Sequence, residues 1–202
     1  MTLVEERQEV DEFAAARRAM IDSQLRVSGV NARFVLARMS EVPREDFVPE
    51  GTRAHAYVDR AIALGGGRYL AAPLVQGRML EEAAPDHDDK ALLVDGGSGY
   101  LAELLRPLVG SLEVVAPDKA LAKSRKKGDF TLLVIDGAIE QLPAALVARL
   151  AENARIVTGL LSHGLTRLAI GRKIAGEVSL VPVAEMGIPV LPDFAAPKGW
   201  SF

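Results

Sequence analysis

The stretch LLVDGGSGYLAEL, residues 92–104, has the residue types and spacing in this chain that best suit chemistry. It joins an apolar strand, a glycine cluster and a helix, an order that commonly holds nucleotide-type cofactors. Gly97 and Gly99 let the backbone approach a ligand closely, and the helix that follows offers free N–H groups. The candidate cofactor-binding residues here are Asp95, Gly97, Ser98 and Gly99. Many strand-to-helix turns use glycine for geometry alone, so this stretch by itself leaves a purely structural role open.

A second acidic residue favours the same crevice. Asp118 follows the next apolar strand and lies about 20 residues beyond the glycine turn, where a carboxylate commonly hydrogen-bonds ribose hydroxyls. Aspartate is also a favoured N-cap residue, so capping of the next helix is the alternative role for Asp118. No complete GxGxxG occurs at the turn, which argues against a dinucleotide-dependent dehydrogenase.

The elements that position these residues alternate between strands and helices. The runs KALLVDGG, LEVVAP, FTLLVIDG and ARIVTGLL are continuously apolar, and the helical patterns GYLAELLRPL and QLPAALVARLAE lie between them. This alternation indicates a parallel α/β sheet with helices on both faces. A further pair of strands is predicted in RLAIGRKIAGEVSLVPVAEM, and the end PVLPDFAAPKGWSF is expected to lie extended over the surface.

The N-terminal part of the chain predicts helices. Apolar residues recur at helical spacing from Glu6 to Val27, and Asn31 is placed as the N-cap of a second helix that Pro43 stops. Residues 43–73 are rich in proline and glycine and are expected to form a substrate-side cap or a functional loop. Pro73 is expected to begin a third helix.

Composition excludes several classes of function. Of 202 residues, 49% are hydrophobic, which suits one compact unit with a helical region (1–50) and a larger domain (51–202). The net charge of −3 gives no global basic field for nucleic acid or anionic lipid. There is no cysteine, the three histidines are not at ligand spacing, and no apolar run approaches the ~20 residues of a membrane span. We therefore expect a cytoplasmic protein without a metal site, a nucleic-acid partner or a membrane segment.

Four stretches, in order along the chain, resemble the protein-L-isoaspartate O-methyltransferase family, which uses S-adenosylmethionine. Residues 20–49, MIDSQLRVSGVNARFVLARMSEVPREDFVP, match a family pattern like MVxxQLxxxGIxDxxVLxAMxxVPRExFVP. Residues 56–80, AYVDRAIALGGGRYLAAPLVQGRML, match AYxDxxLPIGxGQTISAPxMVAxML. Residues 91–103 match VLEIGTGSGYQAA, and residues 130–157 match FDxIIVTAAxxxIPxxLxxQLxxGGRLV. The resemblance covers most of the chain, and VPRExFVP is quite specific to this family.

The resemblance implies a Rossmann-like S-adenosylmethionine methyltransferase sheet, with helices on both faces and an N-terminal helical extension. It also implies methylation of the carboxyl group of isoaspartyl residues in damaged proteins, with a protein or peptide as the substrate. A carboxylate is already ionised near pH 7, so such a reaction depends mainly on holding it in line with the sulfonium methyl group.

The chain departs from the family pattern where chemistry is expected. The family's TISAPH loop places a serine and a histidine near the isoaspartyl group, and Ala71 and Leu74 stand at those positions. The acidic residue of LEIGTG is replaced by Leu93 and its first glycine by Asp95. Only KALAKSRKKGD follows Asp118 before the next strand, so one strand-helix unit that helps to enclose the adenine is expected to be missing.

These departures leave two hypotheses. The first is a working S-adenosylmethionine-dependent carboxyl methyltransferase that repairs isoaspartyl sites. The second is a relative that kept the fold, lost catalysis and serves in binding, assembly or regulation. Asp95 would place a negative charge close to the methionine carboxylate of the cofactor, so any S-adenosylmethionine binding is expected to be weak.

The missing strand also predicts an exposed edge of the sheet that a second copy of the chain can pair with. Its loss leaves the backbone of a neighbouring strand unpaired at the edge of the sheet, and such edges invite pairing. This edge, or the C-terminal tail with Phe194, Trp200 and Phe202, is expected to form a homodimer. The alternative is that the tail packs over its own sheet.

Overall fold

The computed structural model describes residues 3–122 and 128–196, with side chains from residue 11 onward. The helices within these ranges are α1 (Leu3–Met20), α2 (Arg33–Glu41), α3 (Pro73–Ala83), α4 (Tyr100–Leu105), α5 (Pro117–Ala120) and α6 (Ala144–Val147). The strands are β1 (Ile62–Gly65), β2 (Arg68–Leu70), β3 (Lys90–Val94), β4 (Ser111–Val115), β5 (Phe130–Ile139), β6 (Leu150–Ser162), β7 (Leu165–Ile174) and β8 (Glu177–Glu185). None of the helices described is long and apolar enough to cross a bilayer.

Strands β3 to β8 form a six-stranded sheet in the order β4-β3-β5-β6-β7-β8. Strands β4, β3, β5 and β6 run parallel, and β7 and β8 follow in an antiparallel meander. The chain leaves β3 to one side towards β4 and returns on its other side as β5, so the order reverses beside β3. Open α/β sheets bind ligands at such a reversal, beyond the carboxyl ends of the strands. The predicted Rossmann-like architecture is confirmed, with the C-terminal strands antiparallel.

The two faces of the sheet are covered unequally. The larger core packs helices α2, α3 and α4 and the turns after α1 against one face, and its fully buried side chains include Leu25, Met39, Met79, Leu93 and Leu104. On the other face, Leu92 and Leu133 are covered by Ala120 of α5, Leu146 of α6 and the C-terminal segment. Among the described residues, the second face therefore has two four-residue helices where the predicted architecture has full crossover helices.

The shortened connection leaves β4 at one edge of the sheet. Residues 116–122 and 128–129, the described part of the chain between β4 and β5, contain only the short helix α5 and no strand. Within the described residues, no strand pairs with the outer side of β4, in agreement with the predicted loss of one strand. The middle of the basic run after Asp118 lies at residues 123–127, outside the described residues.

Asn31 is not the N-cap of α2, contrary to the sequence prediction. The residue that precedes α2 is Ala32, which has no side-chain cap of its own. Instead, Oε1 of Glu81 on α3 accepts hydrogen bonds from the backbone N–H groups of Asn31 at 3.2 Å and Ala32 at 3.0 Å. A carboxylate from a helix distant in sequence therefore performs the capping, and sequence-local rules do not detect it.

Two further predictions need correction. The helix predicted in QLPAALVARLAE is limited to Ala144–Val147, because the chain from Leu150 already pairs with β5 as the start of β6. The long section 43–73, for which no strand or helix was predicted, holds two 3₁₀ turns, Arg44–Phe47 and Glu50–His55, and the β1–β2 hairpin. The prediction that Pro73 begins a helix is confirmed.

The C-terminal segment crosses the carboxyl end of β5. The backbone N–H of Ala138 donates to the carbonyl of Pro189 at 2.7 Å, and that of Leu191 donates to the carbonyl of Ala138 at 2.8 Å. Phe194 is buried in the second core, so this residue packs over its own sheet. Trp200 and Phe202 lie outside the described residues.

Candidate active site

The glycine turn lies at the carboxyl end of β3, where the strand order reverses. Gly97 and Gly99 have φ angles of 115° and 74°, which favour glycine over other residues. The carboxylate of Asp95 accepts hydrogen bonds from the backbone N–H of Gly97 at 3.1 Å and of Gly99 at 2.9 Å. Ser98 Oγ accepts from the N–H of Tyr100 at 3.2 Å. Asp95 therefore occupies two turn amides that a ligand anion would use.

Asp136 is a buried carboxyl group that sequence reasoning missed. It lies in β5, in the register position next to Asp95, because Val94 of β3 pairs with Ile135 of β5. Burial, followed by the negative charge of Asp95, raises the pKa of Asp136 from 3.8 to about 7. The side-chain amide of Gln76 donates to it, with Nε2 at 3.2 Å from Oδ2 and 3.4 Å from Oδ1. The hydrogen bond from the Gln76 amide lowers the pKa of Asp136, but by less than burial and Asp95 together raise it.

The sequence held a signal for Asp136. VIDG in β5 repeats the arrangement of LVDG in β3, with an aspartate and a glycine directly after an apolar run. Parallel neighbouring strands bring their carboxyl ends to the same edge of the sheet, so this repetition predicts adjacent carboxyl groups. Against the family pattern quoted above, Asp136 stands at the position of a threonine.

A buried arginine orients both Gln76 and the loop at Ala71. Arg44 is fully buried, and its guanidinium donates to the carbonyls of Ala56 at 2.7 Å and of Ala71, and to Oε1 of Gln76 at 2.6 Å. The guanidinium carbon lies 5.0 Å from the centre of the Tyr100 ring, a cation–π distance. Burial lowers the pKa of Arg44. The arginine of VPRE thus connects the loop equivalent to TISAPH with the carboxyl edge of the sheet.

A second group of polar residues fixes the position of Arg44. Tyr57 Oη accepts hydrogen bonds from the backbone N–H of Arg44 at 3.2 Å and from Nε of Arg17 at 2.7 Å, and it donates to the carboxylate of Glu45. Arg17 also contacts Glu45 at 3.0 Å. Burial raises the pKa of Tyr57, which keeps its hydroxyl protonated and able to donate. Arg17 of α1 and Tyr57 therefore hold the VPRE segment in place.

The two substituted loop positions occupy different environments. Ala71 is buried, and its carbonyl is bound by Arg44. Leu74 is half-buried and lines an open cleft of about 380 Å³. The other residues of this cleft come from the turn before β1, from α3 and from the end of β8: Asp59, Arg60, Ala61, Ala72, Val75, Glu185, Met186 and Gly187. The predicted catalytic-loop positions thus lie beside a cleft, but their side chains offer only alkyl groups.

Asp118 does not cap the helix that follows β4. The residue before α5 is Ala116, which has no side-chain cap, and Asp118 lies in the first turn with its side chain exposed and 3.5 Å from Lys119. The alternative structural role for Asp118 is therefore wrong. Its exposed carboxylate follows the carboxyl end of β4, at the same edge as Asp95 and Asp136.

Arg68 covers the glycine turn. A Cβ added to Gly97 would lie 3.0 Å from Cβ and 3.2 Å from Cγ of Arg68, so the arginine stem lies directly on this glycine. Its guanidinium makes a bidentate ion pair with Asp193 of the C-terminal segment, at 2.8 and 3.1 Å. Hydrogen bonding from Arg68 lowers the pKa of Asp193. The β1–β2 hairpin and the C-terminal segment therefore meet above the turn.

The reversal of strand order beside β3 and the glycine turn at its carboxyl end define a Rossmann-like α/β fold. Two solved structures share this fold with TM-scores of 0.71: a protein-L-isoaspartate O-methyltransferase from Plasmodium falciparum in complex with S-adenosyl-L-homocysteine, and a second protein-L-isoaspartate O-methyltransferase. The first is 16% identical and covers 90% of this chain and 98% of its own; the second is 15% identical and covers 89% and 67%.

Sequence comparison gives the family. The protein-L-isoaspartate(D-aspartate) O-methyltransferase family model matches residues 15–127, more than half of the chain. The protein-L-isoaspartate O-methyltransferase of Aeropyrum pernix is 45% identical over 194 residues, covering 82% of this chain and 74% of that protein. That of Koribacter versatilis is 34% identical over 190 residues, covering 82% and 86%. The chain belongs to the protein-L-isoaspartate O-methyltransferase family.

Proposed function

We propose that the protein is an S-adenosylmethionine-dependent carboxyl methyltransferase that acts on isoaspartyl residues of proteins or peptides. The observation that carries this proposal is the placing of three carboxyl groups on adjacent strands and their following turns: Asp95 directly after β3, Asp136 beside it in β5, and Asp118 in the helix after β4. Family membership and the fold shared with a neighbour that holds S-adenosyl-L-homocysteine support it.

The negative charges of the carboxylates at this site are complementary to the positive charges of S-adenosylmethionine. S-adenosylmethionine carries an ammonium, a sulfonium and ribose hydroxyls, all of which are stabilised by carboxylate acceptors. Asp118, exposed beyond β4, is the acceptor we assign to the ribose hydroxyls. Asp95 supplies negative charge near the turn, and Asp136 adds to it when ionised, with a pKa of about 7. The amides of Gly97 and Gly99 are already bonded within the protein. When bound, the cofactor supplies the methyl group as an electrophile.

The chain's own residues would act by positioning. We place the peptide substrate in the cleft beside Leu74, whose charged lining residues are Arg60, Asp59 and Glu185. Because the acceptor carboxylate needs no deprotonation near pH 7, the alkyl side chains of Ala71 and Leu74 remove hydrogen bonds but no required base. Arg44 holds the carbonyl of Ala71 and so fixes the loop that separates the cleft from the turn.

Methyl transfer to a synthetic peptide tests the proposal. The full chain is incubated with methyl-labelled S-adenosylmethionine and either an isoaspartyl peptide or the same peptide with normal aspartate. The proposal expects label in the isoaspartyl peptide only, as a base-labile methyl ester. Equal labelling of both peptides would contradict the assigned substrate, and labelling of neither would contradict the activity.

A second candidate function rests on specific observations. The carboxylate of Asp95 occupies the turn amides, and the loop at Ala71 and Leu74 has lost its polar side chains, which is the arrangement expected of a relative that binds but does not catalyse. Calorimetric binding of S-adenosyl-L-homocysteine without label in either peptide would favour this candidate, with a role in binding, assembly or regulation.

A further inference from the structure

Arg68 is the cation placed on the glycine turn itself. Its stem contacts Gly97, and its guanidinium is only partly exposed, with 28% of the side chain accessible. The other arginine near the turn, Arg44, is fully buried and already bonded to two carbonyls and to Gln76. Arg68 is therefore the guanidinium there that an incoming anion can reach.

The turn itself offers little to an anion. The N–H groups of Gly97 and Gly99, which a ligand carboxylate would otherwise use, donate to Asp95. Asp95 and the neighbouring Asp136 also repel a negative charge at close range. A ligand that carries a carboxylate to this edge needs a cation that stands clear of both aspartates.

Asp193 is the present partner of that cation. It pairs with Arg68 in the bidentate geometry that guanidinium adopts with any carboxylate. The side chains of Arg68 and Asp193 are 28% and 20% accessible, so the ion pair is partly exposed to solvent. Asp193 also lines a separate cavity of about 220 Å³, with Leu121 after α5 and residues 141–144 after β5. Asp193 therefore lies between the Arg68 guanidinium and this cavity, which Arg68 itself does not line.

We propose that Arg68 is a carboxylate receptor above the glycine turn, and that Asp193 occupies it as an internal substitute for the carboxylate of a ligand. The inference rests on the proposed function, because both reactants of that function carry a carboxylate: the amino-acid end of the cofactor and the isoaspartyl methyl acceptor. Binding of either one exchanges it for Asp193 and releases the C-terminal segment from the hairpin.

Two probes and three variants test this receptor. S-adenosyl-L-homocysteine carries the amino-acid end, and 5′-methylthioadenosine is the corresponding thioether without it. Calorimetry compares both probes on the wild type, Arg68→Gln, Asp193→Asn and the control Arg53→Gln, whose ion pair with Asp46 lies elsewhere. If the cofactor carboxylate is the ligand, Arg68→Gln weakens S-adenosyl-L-homocysteine binding about tenfold, or about 1.4 kcal/mol, and leaves methylthioadenosine unchanged. Asp193→Asn strengthens it severalfold, and Arg53→Gln changes neither.

The methyl acceptor is distinguished by kinetics. If its carboxylate is the ligand, Arg68→Gln leaves both calorimetric affinities unchanged and raises KM for the isoaspartyl peptide about tenfold, while Asp193→Asn lowers that KM. The proposal is overturned if Arg68→Gln weakens the binding of both calorimetric probes equally. It is also overturned if Arg68→Gln changes neither affinity nor the KM for the isoaspartyl peptide.

Failure of the proposed function gives a different pattern. In that case the wild type binds no S-adenosyl-L-homocysteine and transfers no methyl group, and succinate becomes the probe. Succinate then raises the melting temperature of Asp193→Asn but not of Arg68→Gln/Asp193→Asn if Arg68 is a carboxylate receptor. Equal melting temperatures of Asp193→Asn with and without succinate overturn the proposal that Arg68 is a carboxylate receptor.

Discussion

The side-chain amide of Gln76 lies 3.2 Å from a carboxylate oxygen of Asp136, and both residues are buried between α3 and β5. Gln76 is itself oriented by Arg44, so a charged group in the VPRE segment reaches the carboxyl edge of the sheet through one neutral amide. This relay leaves Asp136 with a pKa of about 7, because burial and Asp95 together outweigh the amide and Arg44.

Asp136 is expected to make the protein less stable as pH rises from about 4 to above 7. Its folded-state pKa of about 7 lies above the unfolded value of 3.8, so the folded state holds the proton more tightly and loses stability on ionisation. Asp136→Asn removes this loss and is expected to raise the free energy of unfolding at pH 8 by about 2 kcal/mol, with little change at pH 4. Urea unfolding at both pH values measures it, with the exposed Asp118→Asn as the matched control. An unchanged pH profile in Asp136→Asn would show that burial does not hold the proton.

Replacing Arg44 is expected to be strongly destabilising. Arg44→Lys keeps the charge but cannot serve the two carbonyls and Gln76 in the same planar geometry, which leaves buried acceptors unpaired. The expected loss is about 3 kcal/mol in the free energy of unfolding. Arg53→Lys, at an exposed ion pair, is the control and is expected to stay within about 0.5 kcal/mol. Similar losses for the two variants would mean that Arg44 contributes as an ordinary surface arginine.

Glu81 is expected to stabilise the start of α2. Removing its carboxylate in Glu81→Ala leaves the N–H groups of Asn31 and Ala32 without this partner and is expected to cost about 1 kcal/mol. Glu82→Ala is the matched control, since Glu82 is the next residue of the same helix and shares the ion-pair partner Arg78. Chemical denaturation compares the two variants, and equal losses would assign the effect to Arg78 rather than to capping.

Asp95 is expected to protect the amides of the glycine turn. In Asp95→Ala the N–H groups of Gly97 and Gly99 lose their acceptor, so their hydrogen exchange, followed by NMR, is expected to become about tenfold faster. Ser98→Ala, which removes the neighbouring bond to the N–H of Tyr100, should leave these two amides unchanged. Unchanged exchange in Asp95→Ala would show that the turn holds its shape without the carboxylate.

Gly159 is expected to tolerate no side chain. A Cβ at this position would lie 2.8 Å from Cα of Ala138 and 2.8 Å from a methyl carbon of Ile188, between β5 and the C-terminal segment. Gly159→Ala is expected to lower the free energy of unfolding by about 2 kcal/mol because the core is already filled there. Gly164→Ala, in a turn with open space around it but a φ of 77°, is a useful comparison because strain rather than collision would cause its loss. A more stable Gly159→Ala would indicate that the C-terminal segment moves away freely.

The sequence by itself determined the architecture and the place of the site. Continuously apolar strands such as that of LLVDGG are stable only when both of their faces are buried. The succession of strands and helices along the chain, and the position of the glycine turn, therefore followed from the apolar pattern alone. The start of α3 at Pro73 was also determined locally, because proline suits the first turn of a helix. The VPRE segment and the shortened connection after Asp118 followed instead from the resemblance to the family pattern.

Only the tertiary structure decided which groups meet at the carboxyl edge. The repeated LVDG and VIDG runs place Asp95 and Asp136 at one edge of the sheet, but the parallel register of β3 and β5 decides that they are direct neighbours. Arg68 reaches Asp193 because a hairpin and the C-terminal segment converge on Gly97. Glu81 replaces Asn31 as a cap for the same reason, since α3 packs against α2. Hydrogen bonds and charge pairs of this kind depend on which side chains lie close together in space. The periodicity of apolar residues predicts helices and strands, but it does not predict those distances.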